Sequence, residues 1–339
     1  MLFRSRPPHH AHAHGHVIDA APPSPGASGL KGVLLPVLVV LAIGSIFVSV
    51  YLAAFHAPVP RRLPVAVVGS SQTLGRVESG LEAVQPGGFA VRSYADQADA
   101  RDALDHRAVY AVYMATGVPR LLYAGANGSG VTATVTGAFG AVAESGGHQL
   151  TTADALPASG GDTRGLSVFY AAFGVVLAGF MFGTATYQLA PRLEYRLRML
   201  SLLVFGACSG VMVALVAGRA FGAMPGPFAG IAGVVALMAV AAGGATMVMG
   251  RLFGPAGVSL SSVVLLILGN ASSGGILPAA YLPGWLRPLH GILPVGVGVR
   301  ALQGLAYFRH DGLVPGVAIL LVWILACAAV LRLKDVRSA

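Results

Sequence analysis

Six long stretches without a charged side chain limit what this sequence can fold into. Each stretch supplies the ~20 mostly apolar residues that a helix needs to cross about 30 Å of hydrocarbon. An Arg or Lys in the middle of such a helix would cost roughly 2.5–3.5 kcal/mol, so the charged residues between the stretches mark the helix ends. The sequence therefore predicts six transmembrane helices, one within each of the uncharged stretches 32–55, 165–191, 199–218, 220–250, 252–286 and 312–331.

Composition excludes an ordinary soluble protein. Only 10% of the 339 residues are charged, against about 25% in soluble domains, which is too few to cover a soluble surface. The net charge of +9 comes mostly from basic residues at the ends of the apolar stretches, where membrane topology requires them. Since no basic patch is interleaved with aromatic residues, we predict the lipid bilayer as a partner and no nucleic acid.

The distribution of Arg and Lys predicts the orientation in the membrane, because short cytoplasmic segments are enriched in both. With the N-terminus inside, the short outer segments hold four basic residues: Arg219, Arg287, Arg300 and Arg309. The short inner segments hold ten: Arg4, Arg6, Lys31, Arg192, Arg196, Arg198, Arg251, Arg332, Lys334 and Arg337. We therefore predict a multi-pass protein of the cell (plasma) membrane with both termini in the cytoplasm.

Residues 57–164, between the first and second predicted helices, hold nine of the thirteen acidic residues. Apolar runs such as LPVAVVG predict buried strands, and Ser70 is placed to cap the helix that follows the first of them. The predicted strands are 63–69, 89–94, 109–116, 120–126 and 148–156, and the predicted helices are 71–84, 96–107 and 130–145. This alternation predicts βαβ units and a mixed sheet.

The predicted fold class is a membrane all-α protein: a six-helix polytopic bundle with an extracytoplasmic α/β domain inserted between helices 1 and 2. The predicted domains are a disordered His/Pro-rich cytoplasmic tail at 1–31, transmembrane helix 1 at 32–56, the extracytoplasmic domain at 57–164, a five-helix transmembrane permease domain at 165–333, and a cytoplasmic tail at 334–339.

The histidines and cysteines predict no bound metal or cofactor. The first tail carries five clustered histidines: His9, His10, His12, His14 and His16. Such a tract can bind zinc or nickel loosely, but a tail offers no fixed geometry. Both cysteines, Cys208 and Cys327, fall in apolar stretches, where a cysteine acts as a small packing residue.

No catalytic motif is present. A P-loop needs a Lys that reaches the phosphates, and neither Lys31 nor Lys334 follows such a loop. The six apolar stretches contain no Asp or Glu, which argues against proton coupling through this chain. We therefore predict that the chain is not an enzyme and that any ATP hydrolysis belongs to a partner.

Two polar runs each allow a sharper and a plainer interpretation. GANGSG, at 125–130, precedes a predicted helix, and we prefer a tight turn over an anion site at the helix N-terminus. Asp154, Asp162 and Arg164 lie just before the second transmembrane helix. We prefer a polar collar at the membrane surface over a general acid–base pair.

The run PRLEYRLRML, at 191–200, is the most charged predicted inner loop. One interpretation is positive-inside anchoring alone. The other is a short interfacial helix that docks onto a cytoplasmic partner through its charged residues, Arg192, Glu194, Arg196 and Arg198.

The run NASSGGILP, at 270–278, ends the fifth predicted helix. Asn and Ser together with Gly and Pro predict a broken, re-entrant backbone, which is tolerated at membrane depth only where protein or a cavity covers it. The alternative is an interfacial loop in which Tyr281 and Trp285 are belt residues.

These motifs, in this order, resemble the type 2 ABC transporter permease superfamily. N-x-S-S-G-G-x-x-P-x-x-x-L-P-x-W-L followed by L-P-x-G-x-x-x-R-A-L is similar to its last third, whereas LPVAVVG, AVYAVYMAT, LLYAGANG and DTRGLSVFY resemble the branch related to phage-infection proteins. The resemblance spans about residues 33–333. The family-like positions are Asn270, Ser272, Ser273, Gly274, Gly275, Pro278, Pro283, Pro294 and Arg300. The acidic residue that often follows the first proline is replaced here by Ala279 and Ala280.

The resemblance implies a permease subunit that pairs with a second permease chain, as in a homodimer, and with a separate cytoplasmic ATP-binding subunit. Because the loop at 191–200 is the most charged on the inner side, we expect its four charged residues to contact that ATPase. The expected function is export of an apolar or amphipathic compound. The alternative is a non-transporting surface receptor or envelope assembly scaffold that acts through its external domain.

We expect the transport path to follow helices 2 and 5 at a subunit interface. Its predicted residues are Tyr187, Gln188, Asn270, Ser272, Ser273, Gly274 and Pro278. Gly174, Gly179 and Gly183 in helix 2 would let helices approach closely, either to line the path or simply to pack.

Overall fold

The computed structural model describes residues 30–115 and 118–338. The histidine tract at 9–16 and the end of the third predicted strand lie outside these residues. The first helix, α1, runs over Leu30–Phe55, and the chain divides inside it into two compact units, one ending at Gly44 and one beginning at Ser45. With a mean hydropathy of 2.8 in its most apolar stretch, α1 is long and apolar enough to cross a membrane.

A five-stranded sheet with helices on both faces follows α1. Its elements are β1 (Leu63–Val68), α2 (Ser71–Val84), β2 (Phe89–Tyr94), α3 (Gln97–Asp105), β3 (Ala111–Met114), β4 (Arg120–Tyr123), α4 (Ser129–Ser145) and β5 (Thr151–Asp154). The strand order is β2-β1-β3-β4-β5; β3 and β4 are antiparallel and the other neighbours are parallel. The mixed sheet predicted from the sequence is confirmed.

Short polar side chains set where these helices begin. The Ser70 hydroxyl accepts a hydrogen bond from the Thr73 N–H at 3.3 Å, and Asp96 accepts one from the Asp99 N–H at 2.9 Å. Both are N-caps, which satisfy backbone donors that have no partner within the helix. Ser70 therefore caps α2 as predicted, and Asp96 caps α3.

The topology creates a switch point at the carboxyl ends of the strands. Strand β1 lies between β2 and β3. The connection from β1 to β2 therefore runs to one side of β1, and the connection from β2 to β3 crosses to its other side. Helices α2 and α4 pack on one face with Leu81 and Phe139, and α3 packs on the other with Leu104. The carboxyl ends of β1 and β3 therefore flank a crevice of the kind in which open α/β sheets bind ligands.

The rest of the chain is almost entirely helical. Its helices are α5 (Ser167–Leu189), α6 (Tyr195–Val213), α7 (Phe228–Phe253), α8 (Pro255–Ser261), α9 (Gly269–Ala271), α10 (Arg287–His290), α11 (Pro294–Ala306) and α12 (Leu313–Ser338). A π-helical turn at Ala214–Ala220 extends α6, and another at Ser262–Leu268 joins α8 to α9. Of the helices that the structure describes, five are long and apolar enough to span a bilayer: α1, α5, α6 with its extension, α7 and α12.

The fifth apolar stretch, 252–286, is helical only over Pro255–Ala271. The helix ends at the run 270–278, where the sequence predicts a broken backbone. It ends where Gly274 takes a positive φ of 73°, a conformation that favours glycine, and Pro278 follows soon after. The remainder of the stretch consists of turns, the 3₁₀ turn Ala279–Tyr281 and the start of α10.

Helix α7 is the centre of the helical part, and α5, α6, α11 and α12 pack around it. Close approach of α5 to α7 depends on two of the three predicted glycines. A Cβ on Gly179 would lie 2.9 Å from the Cβ of Ala242, and one on Gly183 would lie 2.6 Å from the Cβ of Thr246. A Cβ on Gly174 would meet no described atom within 4 Å, so Gly174 makes no close approach within the described chain, and an approach to a second chain stays a prediction.

Candidate functional site

Residues 272–293, the broken segment, connect the end of α9 to the start of α11. The Ser272 hydroxyl donates to the Leu268 carbonyl at 2.7 Å, and the Ser273 hydroxyl accepts from the Gly275 N–H at 3.2 Å. The Asn270 side chain donates to the Leu266 carbonyl at 2.9 Å. These three side chains are at most 1% exposed, and each is hydrogen-bonded to backbone groups at the helix end.

His290 closes over this helix end. Its Nδ1 lies 3.2 Å from the Ser272 carbonyl and 3.1 Å from the Ser273 carbonyl, so Nδ1 carries the proton and donates to them. Burial and the nearby Arg107 guanidinium lower the pKa of His290. A Cβ on Gly274 would lie 2.7 Å from the imidazole ring, which explains why a glycine occupies this position.

The broken segment also lies against α5. A Cβ on Gly275 would approach the Cβ of Phe169 to 2.8 Å, close to the beginning of that helix. The segment is therefore covered by protein, as a re-entrant backbone requires. Tyr281 is 2% exposed and so is not a belt residue, whereas Trp285 is 55% exposed.

The residues predicted to form the path fall into two groups. Asn270, Ser272, Ser273 and Gly274 are close together, and Pro278 lines a cavity with Gly274. Tyr187 and Gln188 lie near the other end of α5, 18 residues after Phe169, which corresponds to about 27 Å along a helix. The structure does not bring the two groups together: Tyr187 and Gln188 belong to the end of α5, whereas the broken segment packs near its beginning.

A polar cavity of about 220 Å³ lies between the sheet and the broken segment. Pro64 and Tyr110, near the amino ends of β1 and β3, line one wall of the cavity together with Arg300 and Gln303 of α11. His290 and Gly274 complete the wall on the side of the helix end. The candidate site therefore joins the α/β fold to the helices that follow the fifth apolar stretch.

Ion pairs hold the two sides of this cavity together. Arg107 donates to Asp311 from Nε at 3.0 Å and from an Nη at 2.8 Å, and to the Gln303 side-chain carbonyl at 2.5 Å. Arg300 donates to Asp311 at 3.2 and 2.9 Å. Burial raises the pKa of Asp311, but the hydrogen bonds and charges of Arg300 and Arg107 outweigh it, so the net effect is a lowered pKa.

No local sequence pattern predicts this network. Arg107 and Asp311 are 204 positions apart, and no local pattern links such distant residues. One signal was available: Asp311 is the only acidic residue between Glu194 and Asp335. A single carboxylate in such a long apolar region requires a cationic partner.

The four charged residues predicted to dock an ATPase are not equivalent. Arg192, Glu194 and Arg196 are exposed. Arg198 is 3% exposed; its guanidinium donates to the Leu193 carbonyl at 2.5 Å and contacts Asp335 at 3.4 Å. Arg198 is therefore committed within the chain, and the docking role of all four residues stays a prediction.

The predicted loop at 191–200 is also shorter than expected. Helix α6 begins at Tyr195, so Arg196 and Arg198 belong to the first turns of a long apolar helix and not to a separate interfacial helix. Arg251, at the end of α7, contacts Asp335 as well. Arg198 and Arg251 therefore fasten the ends of α6 and α7 to α12.

Two carboxylates before α5 bind backbone groups. Asp162 accepts from the N–H groups of Leu166 and Ser167 at 3.0 and 2.9 Å, which places it as a cap at the start of α5. Asp154 accepts from the Gly125 N–H at 2.9 Å. Both carboxylates have structural partners, and this geometry gives no support to an acid–base pair.

A second cavity, of about 310 Å³, lies at the carboxyl edge of the sheet. Thr73 and Arg76 of α2, Tyr113 of β3 and His148 line it. Burial raises the pKa of Tyr113 while the charge of Arg76 lowers it, with a net increase. This cavity adjoins the topological switch point, the usual ligand position in open α/β sheets.

Comparisons with known proteins add no assignment. No protein-family model matches the chain, no curated protein matches it, and no solved structure matches it. Within residues 30–115 and 118–338, no group of three or more His, Cys, Asp or Glu is arranged to hold a metal ion.

Proposed function

We propose that this chain is the membrane-spanning permease subunit of an ABC-type exporter, energised by a separate ATP-hydrolysing subunit. The observation that carries the proposal is the broken segment: a backbone of turns and short helices between the helix Pro255–Ala271 and α11, buried at Ser272, Ser273 and Tyr281 and packed against α5. In membranes such backbone occurs where protein or a cavity covers it. In transporters, interrupted helices of this kind mark substrate sites.

The proposal includes a sixth span and an orientation. The helix Pro255–Ala271 has 17 residues and a length of about 26 Å, the lower end of what a bilayer needs. With this helix as the fifth span, the α/β domain at 57–164 lies outside the cell membrane, and both termini lie in the cytoplasm. The excess of Arg and Lys in the inner segments supports this arrangement.

The cargo is an apolar or amphipathic compound. The six apolar stretches contain no carboxylate, and a buried charge without a partner is expensive. In this proposal Asn270, Ser272, Ser273, Gly274 and Pro278 form the outer end of the path, and Tyr187 and Gln188 form the inner end. A second permease chain, most simply a second copy, completes the path.

Arg192, Glu194 and Arg196 dock the ATPase in this proposal. They are exposed at the start of α6, and Arg198 supports them from inside by holding the Leu193 carbonyl. A movement of the docked ATPase would move α6 directly, because Arg196 and Arg198 are part of that helix.

The test is purification of the full chain from its native membranes in mild detergent, with an ATP-binding subunit as the expected companion. The double variant Arg192→Glu/Arg196→Glu should weaken that association roughly tenfold or more, because reversing contact charges costs several kcal/mol. Arg120→Glu, an exposed Arg on β4, is the matched control and should leave it unchanged. Absence of an ATP-binding subunit, or full association of the double variant, would overturn the proposal.

A non-transporting receptor is the second candidate, and the cavity at the carboxyl edge of the sheet favours it. That cavity is larger than the one beside the broken segment, about 310 against 220 Å³, and it adjoins the switch point. A receptor should lose ligand binding in Arg76→Gln and should show no ATP-dependent efflux. ATP-dependent efflux by the wild-type complex would exclude this candidate.

A further inference from the structure

The cavity of about 220 Å³ between the sheet and the broken segment has an excess of hydrogen-bond donors. Arg107 and Arg300 face one carboxylate, Asp311, so two positive charges are balanced by one negative charge. The carbonyl oxygen of Gln303 already accepts from Arg107. The Nδ1 of His290 is committed to the carbonyls of Ser272 and Ser273.

Asn127 adds a donor without an acceptor. It lines this cavity and is only 9% exposed, yet its Nδ2 has no hydrogen-bond partner within residues 30–115 and 118–338. An unpaired buried amide costs about 1–3 kcal/mol, so a position that retains one calls for an explanation.

The start of α4 adds positive potential beside that amide. Asn127 directly precedes Gly128, the N-cap residue of the 17-residue helix α4, and Gly128 has no side chain with which to cap it. The N-terminus of a helix carries about half a positive charge and free N–H groups, which favour a bound anion.

We propose that this cavity binds one oxyanion group, a carboxylate or a phosphate, held by the Asn127 amide and the Arg300 guanidinium. The Arg107 side chain is 9% exposed and is hydrogen-bonded to Asp311 and Gln303. It adds positive charge to the cavity and holds Gln303 in the cavity wall. The inference does not depend on transport, because a receptor with this structure would have the same site. A bound anion would link the α/β fold directly to α11.

The experiment is titration of the purified full chain, in neutral detergent, with inorganic phosphate, with acetate and with dihexanoyl phosphatidic acid. Binding of at least one of the three is expected. Asn127→Asp replaces the donor by a charge that repels the anion and should weaken binding roughly tenfold to a hundredfold. Arg300→Gln should weaken it about tenfold; Arg300 is half exposed, so this variant should retain its fold even if Asn127→Asp does not.

Arg120→Gln is the matched control, since it removes one charge from an exposed position on β4, in the same sheet. It should bind like the wild type. Selective binding of the phosphatidic acid identifies a lipid headgroup as the source, and comparable binding of free phosphate identifies a soluble anion. Failure of all three anions to bind, or loss of binding in Arg120→Gln with full binding in a folded Asn127→Asp, would overturn the site.

Discussion

Asn270 is buried in an unusual way for a side chain near the end of an apolar helix. Its Nδ2 donates to the Leu266 carbonyl at 2.9 Å, but its Oδ1 has no partner among the described residues. In the proposed permease, that oxygen is the only uncommitted side-chain acceptor that Asn270 offers to cargo. Its stability contribution should therefore be small, whereas its functional contribution should be large.

Replacing Asn270 by Leu should lower ATP-dependent efflux at least about tenfold, while thermal stability in detergent changes by no more than about 1 kcal/mol. The reason is that an apolar side chain of similar size removes an unsatisfied polar atom together with a partly satisfied one, which is nearly neutral. Efflux is measured in inside-out vesicles, with expression and insertion checked. Unchanged efflux would place the path elsewhere.

The Asp311 carboxylate should make the stability of the chain depend on pH. Its pKa is lowered in the fold, so its contribution is present above the unfolded pKa of about 3.9 and is lost as the pH falls through the lower folded pKa. Asp311→Asn should cost about 3 kcal/mol at pH 7, because it leaves buried Arg107 without its partner. That difference from the wild type should shrink below about pH 4 in thermal unfolding.

Asp102→Asn is the matched control for this prediction. Asp102 pairs with Arg309, but both side chains are more than half exposed, and exposed pairs contribute at most about 1 kcal/mol. Equal losses of stability in Asp102→Asn and Asp311→Asn would show that burial does not distinguish the two carboxylates.

At the scale of elements, glycines decide how closely α5 approaches α7. Gly183→Val should destabilise the chain by roughly 1–3 kcal/mol, because its Cβ would lie 2.7 Å from the Gly243 carbonyl oxygen and a packed interface resists added volume. Gly174→Val, on the same helix, meets no described atom within 4 Å and should be nearly neutral. Thermal unfolding of both variants checks this, and equal stabilities would refute the close approach.

The close packing of α5 against α7 limits which variants can test the transport path. A side chain larger than hydrogen at Gly179 would press on Ala242, so loss of efflux in Gly179→Leu would reflect packing. Asn270→Leu does not have that defect, and it is the variant that separates a path from a packing contact.

Elements with a strong local pattern were predictable from the sequence. The strands of the α/β fold lie within the stretches predicted from apolar runs, and the cap at Ser70 is where the polar residue before α2 predicts it. The ends of the long apolar helices were less predictable, because a charged residue marks a helix end only where it has no partner inside the fold. Arg198 is charged yet lies inside α6, since Asp335, more than 130 positions later, gives it a partner.

The candidate site was predictable only on one side. Asn270, Ser272 and Ser273 stand out because polar residues are rare in apolar stretches. The opposite wall comes from Arg107, Asn127 and Arg300, which no local pattern connects. Asn127 in particular is predicted to be part of a tight turn, and the 3₁₀ turn Gly125–Asn127 agrees with that prediction, yet the same turn places Asn127 in the lining of the cavity.

At the scale of the whole molecule, the amino ends and the carboxyl ends of the strands in the sheet have different neighbours. Its amino edge adjoins α11 and the broken segment through Tyr110 and Pro64, and Arg309 adds pairs with Asp102 and Asp105 on α3. The carboxyl edge, with His148 and Arg76, is the opposite edge of the sheet. The ion pairs fix the α/β fold to the helices that follow the broken segment, so a movement of α11 would carry the sheet with it.

This arrangement makes the topology testable at two exposed positions. Gly147, beyond the end of α4, and Glu194, before α6, are both exposed and should lie on opposite sides of the membrane. In a background in which Cys208 and Cys327 are replaced by Ala, Gly147→Cys should react with a membrane-impermeant maleimide in intact cells. Glu194→Cys should react only after permeabilisation, because the Arg-rich start of α6 favours the cytoplasm. Labelling of both in intact cells, or of Glu194→Cys alone, would invert or break the six-span scheme and with it the assignment of residues 57–164 to the outside.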